Sequence, residues 1–374
     1  MIQLVAILGV LGIGIVFSIL GAVKLSLTEK LKIDDAKFGS LISTLMFTSI
    51  ILVLLIGPLV DAIGHKPIAV AGFLIAGISV FMLAYSGSYK GAVFACIGLG
   101  IGGMCVNTVG NTLLPIVLFG GENPPAASNL GNVFFGVGAF LTPFIVGLLL
   151  KRLGFSNTLS IIGGIVLVPI IFALLATTYP EIPGYEIWSA FSLLGTPVVL
   201  VASLVLFCYV ALEVSMGGWI TSYLTEVGMS AAKASGVLSG FWIALMIARL
   251  VTAGFVTPAV GTTVIAILAL VSVVTIIIMI LAKNKTLAAV GVLITGLAFG
   301  PIFPTVVGYT FSKIAPELYG SAFAIMFAVG MVGGTTIPKA IGNFSKGKTI
   351  QKSLVILAVT AGILFIISLV FSTV

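Results

Sequence analysis

Apolar residues run through this chain in long blocks separated by short polar breaks. Twelve blocks are long enough to cross a membrane, bounded at 3–24, 39–60, 67–86, 91–118, 128–150, 156–178, 196–222, 234–256, 262–282, 286–311, 319–341 and 352–373. A bilayer's hydrocarbon core takes about 20 residues of helix per crossing. The blocks are continuously apolar and lack the two-residue alternation of a barrel strand. The pattern predicts an all-α membrane protein with twelve transmembrane helices. Little chain is left over for a soluble domain, which argues against a membrane-tethered enzyme.

The two halves of the chain repeat one another. Gly98-Leu99-x-x-Gly102 followed by Val109-Gly110-x-Thr112 returns as Gly296-Leu297-x-x-Gly300 followed by Val307-Gly308-x-Thr310. Gly138-Ala139-x-x-x-Pro143-x-x-x-Gly147 matches Gly333-Gly334-x-x-x-Pro338-x-x-x-Gly342. Ala36-Lys37-x-x-x-Leu41-x-Ser43 matches Ala232-Lys233-x-x-x-Val237-x-Ser239. The three offsets are 198, 195 and 196 residues. Many secondary transporters are duplicated bundles of this kind, with solute held between the halves near the bilayer midplane. The expected division is a six-helix half over 1–178, a linker over 179–195 and a second six-helix half over 196–374. Pro180, Glu181, Pro183, Gly184 and Glu186 mark that linker.

Composition supports the membrane assignment. Of 374 residues, 60% are hydrophobic and 7% charged, and the mean hydropathy is +1.33. A soluble surface built from this composition would carry large apolar patches. The first lysine is Lys24, so no cleaved basic signal peptide is expected and the first helix should be retained. Cys96, Cys105 and Cys208 read as small packing residues. A single histidine, with no Cys/His/Asp cluster, argues against a structural metal. The 45 glycines fall largely within helices, where small residues allow close helix contact.

Between the second and third blocks stands Gly57-Pro58-Leu59-Val60-Asp61-Ala62-Ile63-Gly64-His65-Lys66. Gly57 permits close helix approach, Asp61 can cap a helix or pair with a cation, and Gly64 permits a tight turn. The segment resembles the glycine–aspartate–glycine–basic motif of the major facilitator superfamily. That resemblance implies a latch on the cytoplasmic side, assigned here to Gly57, Asp61, Gly64, His65 and Lys66, with Arg249 on the same side. It also implies a twelve-helix major facilitator fold of two pseudo-symmetric halves working by alternating access.

Within that superfamily, Tyr209-x-x-x-Glu213-x-x-x-Gly217-x-Trp219-x-x-x-Tyr223 resembles the helix-seven pattern of fucose permease-like sugar transporters. Phe241-Trp242 with Arg249, Gly300-Pro301-Ile302-Phe303-Pro304-Thr305 and Asn132-x-Phe134-Phe135-Gly136-x-Gly138 point the same way. The chain departs from that branch in one respect. Proton-coupled relatives carry acidic residues in helices one and four, whereas here helix one has none and helix four offers Asn107 and Asn111. The deep acidic residue is instead Glu213. An ionised group at mid-membrane costs about 2.5–3.5 kcal/mol on insertion scales, so Glu213 should face a cavity, pair or be protonated. Tyr209, four residues earlier, shares its helical face.

Asn107 and Asn111 share one face of helix four, and Asn129 and Asn132 one face at the start of helix five. Amides donate and accept without charge, which suits a sugar's hydroxyls, and Trp219, Trp242, Phe134 and Tyr309 offer apolar platforms. The expected solute contacts are Asn107, Asn111, Asn132, Tyr209, Glu213, Trp219, Trp242 and Tyr309, with Glu213 also the coupling residue. The plainer role for the amides is bonding between neighbouring helices. For Arg249 it is an ion pair or snorkelling, and Lys24 and Lys339 read as snorkelling ends.

The expected function is secondary active transport of a small polar solute, a sugar in first rank. An organic anion carrier and an exporter of amphipathic compounds are the alternatives. Expected partners are the solute, a proton or sodium ion and the lipid bilayer, with no cofactor, no metal, no nucleic acid and a monomeric carrier in a plasma (inner) membrane.

Charge conflicts with the orientation that the resemblance implies. With a cytoplasmic N-terminus, Lys66, Arg249 and Lys313 fall on or near the inner side. Lys30, Lys32, Lys37, Lys90, Lys151, Arg152, Lys233, Lys283, Lys285, Lys346, Lys348 and Lys352 fall outside, against the positive-inside rule. An outer basic rim that concentrates an anionic solute would account for this arrangement. The motif is given precedence over the charge count. A single cysteine placed within 61–66, after removal of the three native ones, should therefore resist an impermeant thiol reagent added outside intact cells. Labelling from outside would reverse the orientation.

Overall fold

The computed structural model describes residues 1–180, 187–346 and 348–374. Glu181, Pro183, Gly184 and Glu186 of the expected linker lie outside the described residues. Eleven helical segments are long and apolar enough to span a membrane. One of them, Pro124–Leu175, is 52 residues long, about 78 Å at ~1.5 Å per residue, far more than one crossing needs. It turns at Gly154, whose φ of 74° and ψ of 174° are non-helical, so it counts as two spans.

The twelve helices are α1 (Ile2–Leu31), α2 (Asp35–Ile63), α3 (His65–Tyr85), α4 (Tyr89–Val117), α5 and α6 (Pro124–Leu175, before and after Gly154), α7 (Pro197–Glu226), α8 (Ala231–Ala253), α9 (Pro258–Leu281), α10 (Lys285–Phe311), α11 (Pro316–Phe344) and α12 (Ile350–Phe371). A short helix, Ile187–Ser192, precedes α7.

Several helices outrun their apolar blocks, because a block marks the hydrocarbon core while the helix continues through the headgroup layer. Helix α1 runs to Leu31, where Lys32 stops it in a left-handed conformation with φ 51°. Side chains at the starts of helices satisfy amides that the ladder leaves free. Asp34 accepts from Lys37 N at 2.8 Å, Ser88 from Gly91 N at 3.2 Å and Asn284 from Leu287 N at 2.9 Å. Glu226 does the same across chain segments, accepting from Ile350 N at 3.0 Å and Gln351 N at 2.8 Å at the head of α12.

The expectation of one uninterrupted tenth helix needs correction. Helix α10 is broken at Gly300–Pro301, between Lys285–Phe299 and Ile302–Phe311. Pro301 and Pro304 lack the N–H groups that would close the ladder there.

The chain forms two compact units. The first comprises Met1–Gly121, Phe134–Ala190 and the distant segment Ala315–Ala324. The second comprises Glu122–Val133, Phe191–Ile314 and Ile325–Val374. Thus the first turns of α5 fold with the second unit, and the first turns of α11 fold with the first.

Within the first unit, α4 packs against α1, α2 and α3. Within the second, α10 packs against α7, α8 and α9, which is the same neighbour set displaced by six helices, as the sequence repeat predicts. Glycines make the closest crossings. A side chain at Gly138 of α5 would strike the Leu11 carbonyl of α1, and one at Gly102 of α4 would strike the Ala76 backbone of α3. Outward positions such as Phe47, Ile51, Leu55, Phe144 and Leu148 stay exposed, as lipid-facing residues should.

Replacing Gly138 by Leu should therefore cost about 1–3 kcal/mol by overpacking and lower the melting temperature in detergent. Gly147→Leu, with nothing within 4 Å of the new Cβ, should leave it unchanged.

Candidate functional site

A buried guanidinium organises the polar interior of the second unit. Arg249 of α8 is 2% exposed. Its Nε donates to the Gly300 carbonyl at 2.8 Å and one terminal nitrogen donates to the Asn132 carbonyl at 3.0 Å. The other terminal nitrogen lies 3.4 Å from the Tyr209 hydroxyl and 3.6 Å from Glu213 Oε1.

Tyr209 in turn donates to Glu213 Oε1 at 2.9 Å, across the i,i+4 spacing visible in the sequence. A tight charge-assisted hydrogen bond is about 2.7–2.9 Å. The longer Arg249–Glu213 separation leaves Tyr209 as the bridge, accepting from one partner and donating to the other. Aromatic rings wall the cluster: Tyr209 meets Phe299 at 6.1 Å and Phe303 at 6.2 Å between centroids. Charge in a membrane interior persists where it is paired and hydrogen-bonded, and this cluster meets both conditions.

The asparagines divide between the units. In the first, Asn111 Nδ2 donates to the Asn107 side-chain and main-chain oxygens at 2.9 and 3.0 Å. Asn107 Nδ2 is buried and has no partner among the described residues, which leaves an amide donor available to a ligand. In the second, Asn132 Nδ2 donates to the Ser128 carbonyl at 2.9 Å, while its own carbonyl receives Arg249. Asn129 Nδ2 reaches Thr305 Oγ1 of α10 at 2.8 Å.

The aromatic candidates scatter. Trp219 lies against Gly342 of α11. Trp242 packs edge-on to Phe241 at 5.2 Å and over Gly217. Tyr309 packs on Phe371 at 5.0 Å, with Lys313 Nζ 5.2 Å from its ring. Phe134 is half-buried.

The loop signature resolves into two sets of contacts, both inside the first unit. Asp61 is 6% exposed and caps the start of α11. Its Oδ1 accepts from Gly320 N at 2.8 Å, and its Oδ2 accepts from Ser321 N and Ser321 Oγ, each at 2.6 Å. A carboxylate at a helix N-terminus meets free amides and a favourable dipole. Gly57 allows the crossing: a side chain there would meet Ala324 Cβ at 2.5 Å and the Gly320 carbonyl.

Gly64, with φ 87°, turns the chain between α2 and α3 in a conformation that favours glycine. His65 and Lys66 point elsewhere. His65 Nε2 lies 3.1 Å from Thr112 Oγ1 of α4, and Lys66 Nζ reaches the Ala176 carbonyl at 3.4 Å. The hydrogen-bond and ion-pair partners of Arg249 among the described residues, Gly300, Asn132, Tyr209 and Glu213, belong to the second unit.

No local pattern signals that Asp61 meets Gly320 and Ser321, some 260 positions away. The Pro301–Pro304 pair was visible, but not the side chain that would answer it. Among the described residues no group of three His, Cys, Asp or Glu could hold a metal, and the three cysteines are buried and unbridged.

Removing Asp61's carboxylate should release the head of α11. Asp61→Ala should cost about 1.5–3 kcal/mol, the worth of a hydrogen bond to a charged group, and Asp61→Asn less, since its amide keeps one acceptor. Thermal unfolding, together with reactivity of a cysteine placed at Ser321, would measure both effects.

Residues 5–338 match the sequence model of the Major Facilitator Superfamily. The chain is 26% identical over 324 residues to Bypass of stop codon protein 6 of Saccharomyces cerevisiae, a match covering 74% of this chain and 64% of that protein's length. It superposes on the Escherichia coli fucose:proton symporter with a TM-score of 0.80 at 18% identity, over 99% of each chain. On the human organic anion transporter MFSD10 the TM-score is 0.75 at 14% identity, over 99% of this chain and 98% of that one. At such identities the structural likeness is one of fold.

Proposed function

This chain belongs to the Major Facilitator Superfamily, and on that premise we propose that it is a secondary active transporter moving a small polar solute, a sugar in first rank, by alternating access with Glu213 carrying a coupled proton. The observation behind this reading is the trio of half-buried Glu213 with buried Tyr209 and Arg249. A carboxylate held in a membrane interior beside a hydroxyl and a guanidinium can exist ionised or protonated at moderate cost. That is what a proton carrier requires. The sugar reading draws on the neutral amide chemistry of Asn107, Asn111 and Asn132 and on the fucose:proton symporter among the structural relatives. Trp219 and Trp242 are the candidate apolar platforms, and Tyr309, packed on Phe371, is a weaker one.

In the same reading, residues 1–178 and 196–374 are the moving halves, 179–195 is their linker, and the N-terminus is cytoplasmic in a plasma membrane. The capping of α11 by Asp61 is the latch of one conformational state. Arg249 and a net charge of +7 favour a second reading, an organic anion carrier, in which the solute's own carboxylate competes with Glu213 for the guanidinium.

Proteoliposomes decide between these readings. Under a proton gradient, Glu213→Gln should lose accumulation yet keep solute exchange, because the amide imitates the protonated acid. Accumulation at the parent level would remove Glu213 from coupling. Asn107→Ala should raise the apparent KM for solute about 2- to 10-fold, the equivalent of one neutral hydrogen bond, in both assays. An anion carrier would instead lose uptake with Arg249→Gln and keep its coupling with Glu213→Gln.

A further inference from the structure

The break in α10 creates a specific deficit. In an uninterrupted helix the Gly300 carbonyl would accept from the N–H of residue 304, but residue 304 is proline and has none. The regular pattern resumes one residue later, where Thr305 N donates to the Pro301 carbonyl at 3.0 Å. In a membrane interior no water is at hand to satisfy the freed oxygen. Arg249 Nε fills the gap at 2.8 Å. The same guanidinium holds the Asn132 carbonyl in the α5 segment that folds with the second unit, and its remaining edge faces Tyr209 and Glu213.

We propose that Arg249 is a positioning residue that supplies the hydrogen bond Pro304 removes from α10, and so ties the α10 break and the first turns of α5 to the charge on Glu213. The proposal rests on the coupling role given to Glu213 above, and adds the route by which that charge reaches the backbone. Among the described residues, the charged and titratable groups against Glu213 are Arg249 of α8 and Tyr209 of α7.

While Glu213 is ionised, the guanidinium is drawn to it on one edge and anchored to two carbonyls on the others. When Glu213 takes up a proton from water, that edge loses its charge partner, and the two carbonyl bonds and the longer contact to the Tyr209 hydroxyl hold the side chain. Glu213's return to the carboxylate gives the proton back to water and restores the pull. A planar fork with five donors can serve three elements at once, which a lysine ammonium cannot do in this geometry.

The experiment separates the backbone role from the coupling role. Melting temperatures are measured on purified protein in a Glu213→Gln background, so that removing Arg249 strands no opposite charge. There Arg249→Met should lower the melting temperature by several degrees. Adding Pro304→Ala, which restores an N–H within reach of Gly300, should recover most of the loss. No drop with Arg249→Met, or no recovery with Pro304→Ala, overturns the backbone role.

With Glu213 intact, Arg249→Met/Pro304→Ala should fold and exchange solute but lose gradient-driven accumulation and its dependence on external pH. A double variant that accumulates like the parent, with the parent's pH profile, overturns the link to Glu213. If the parent itself shows no proton-driven transport, the coupling reading fails while the melting result still stands or falls by its own measurement.

Discussion

The constraint on which this structure depends is the lack of a hydrogen-bonding solvent in the hydrocarbon layer, where each unsatisfied backbone group costs several kcal/mol. Helices answer it locally, and hydroxyls answer it by bonding the carbonyl one turn back, as Ser49 does to Leu45 and Thr142 to Gly138. Where the ladder fails, a side chain must take its place. The break in α10 is the clearest instance, because a chain that places proline at 301 and 304 must find a donor for Gly300, and Arg249 is that donor. The same scarcity of partners brings Glu213 and Tyr209 to the guanidinium, so one structural need assembles a polar cluster within the second unit.

Three carboxylates show how the surroundings set a role. Glu226 caps α12 at an exposed end of the second unit, where its contribution is modest. Asp61 caps α11 while 6% exposed, with three donors on two oxygens, so its loss would leave amides unsatisfied in a buried place. Glu213 faces a hydroxyl and a cation, and no amide donates to it among the described residues. The first two are held by fixed backbone dipoles. The third is held by side chains, which suits the coupling role proposed for it.

The exchange of segments between the units bears on the transport reading. The head of α11 folds with the first unit through Asp61, and the head of α5 folds with the second through Asn129–Thr305, Arg249–Asn132 and the close approach of Gly308 to Pro125. The first attachment is charged and the second includes neutral amide bonds. In that reading, a carboxylate on backbone amides and a set of amide and guanidinium bonds are two different ways of holding an exchanged segment.

Apolar period and composition determined the twelve spans, because lipid imposes a length and an apolarity that can be read residue by residue; the repeated motifs showed the duplication, and the Gly57–Lys66 signature carried the resemblance to the family. The i,i+4 pairing of Tyr209 with Glu213 and of Asn107 with Asn111 was equally legible, since helix geometry fixes which neighbours share a face. Tertiary structure decided what lay beyond one helix: that Asp61 caps α11, that His65 and Lys66 turn to α4 and α6, that Tyr309 packs on Phe371, and that Arg249 answers Pro304. Each joins positions tens to hundreds of residues apart, for which local periodicity carries no signal. The apolar pattern says which face of a helix avoids lipid but not which neighbour it meets, and the partners of these few polar groups are settled only when the helices pack.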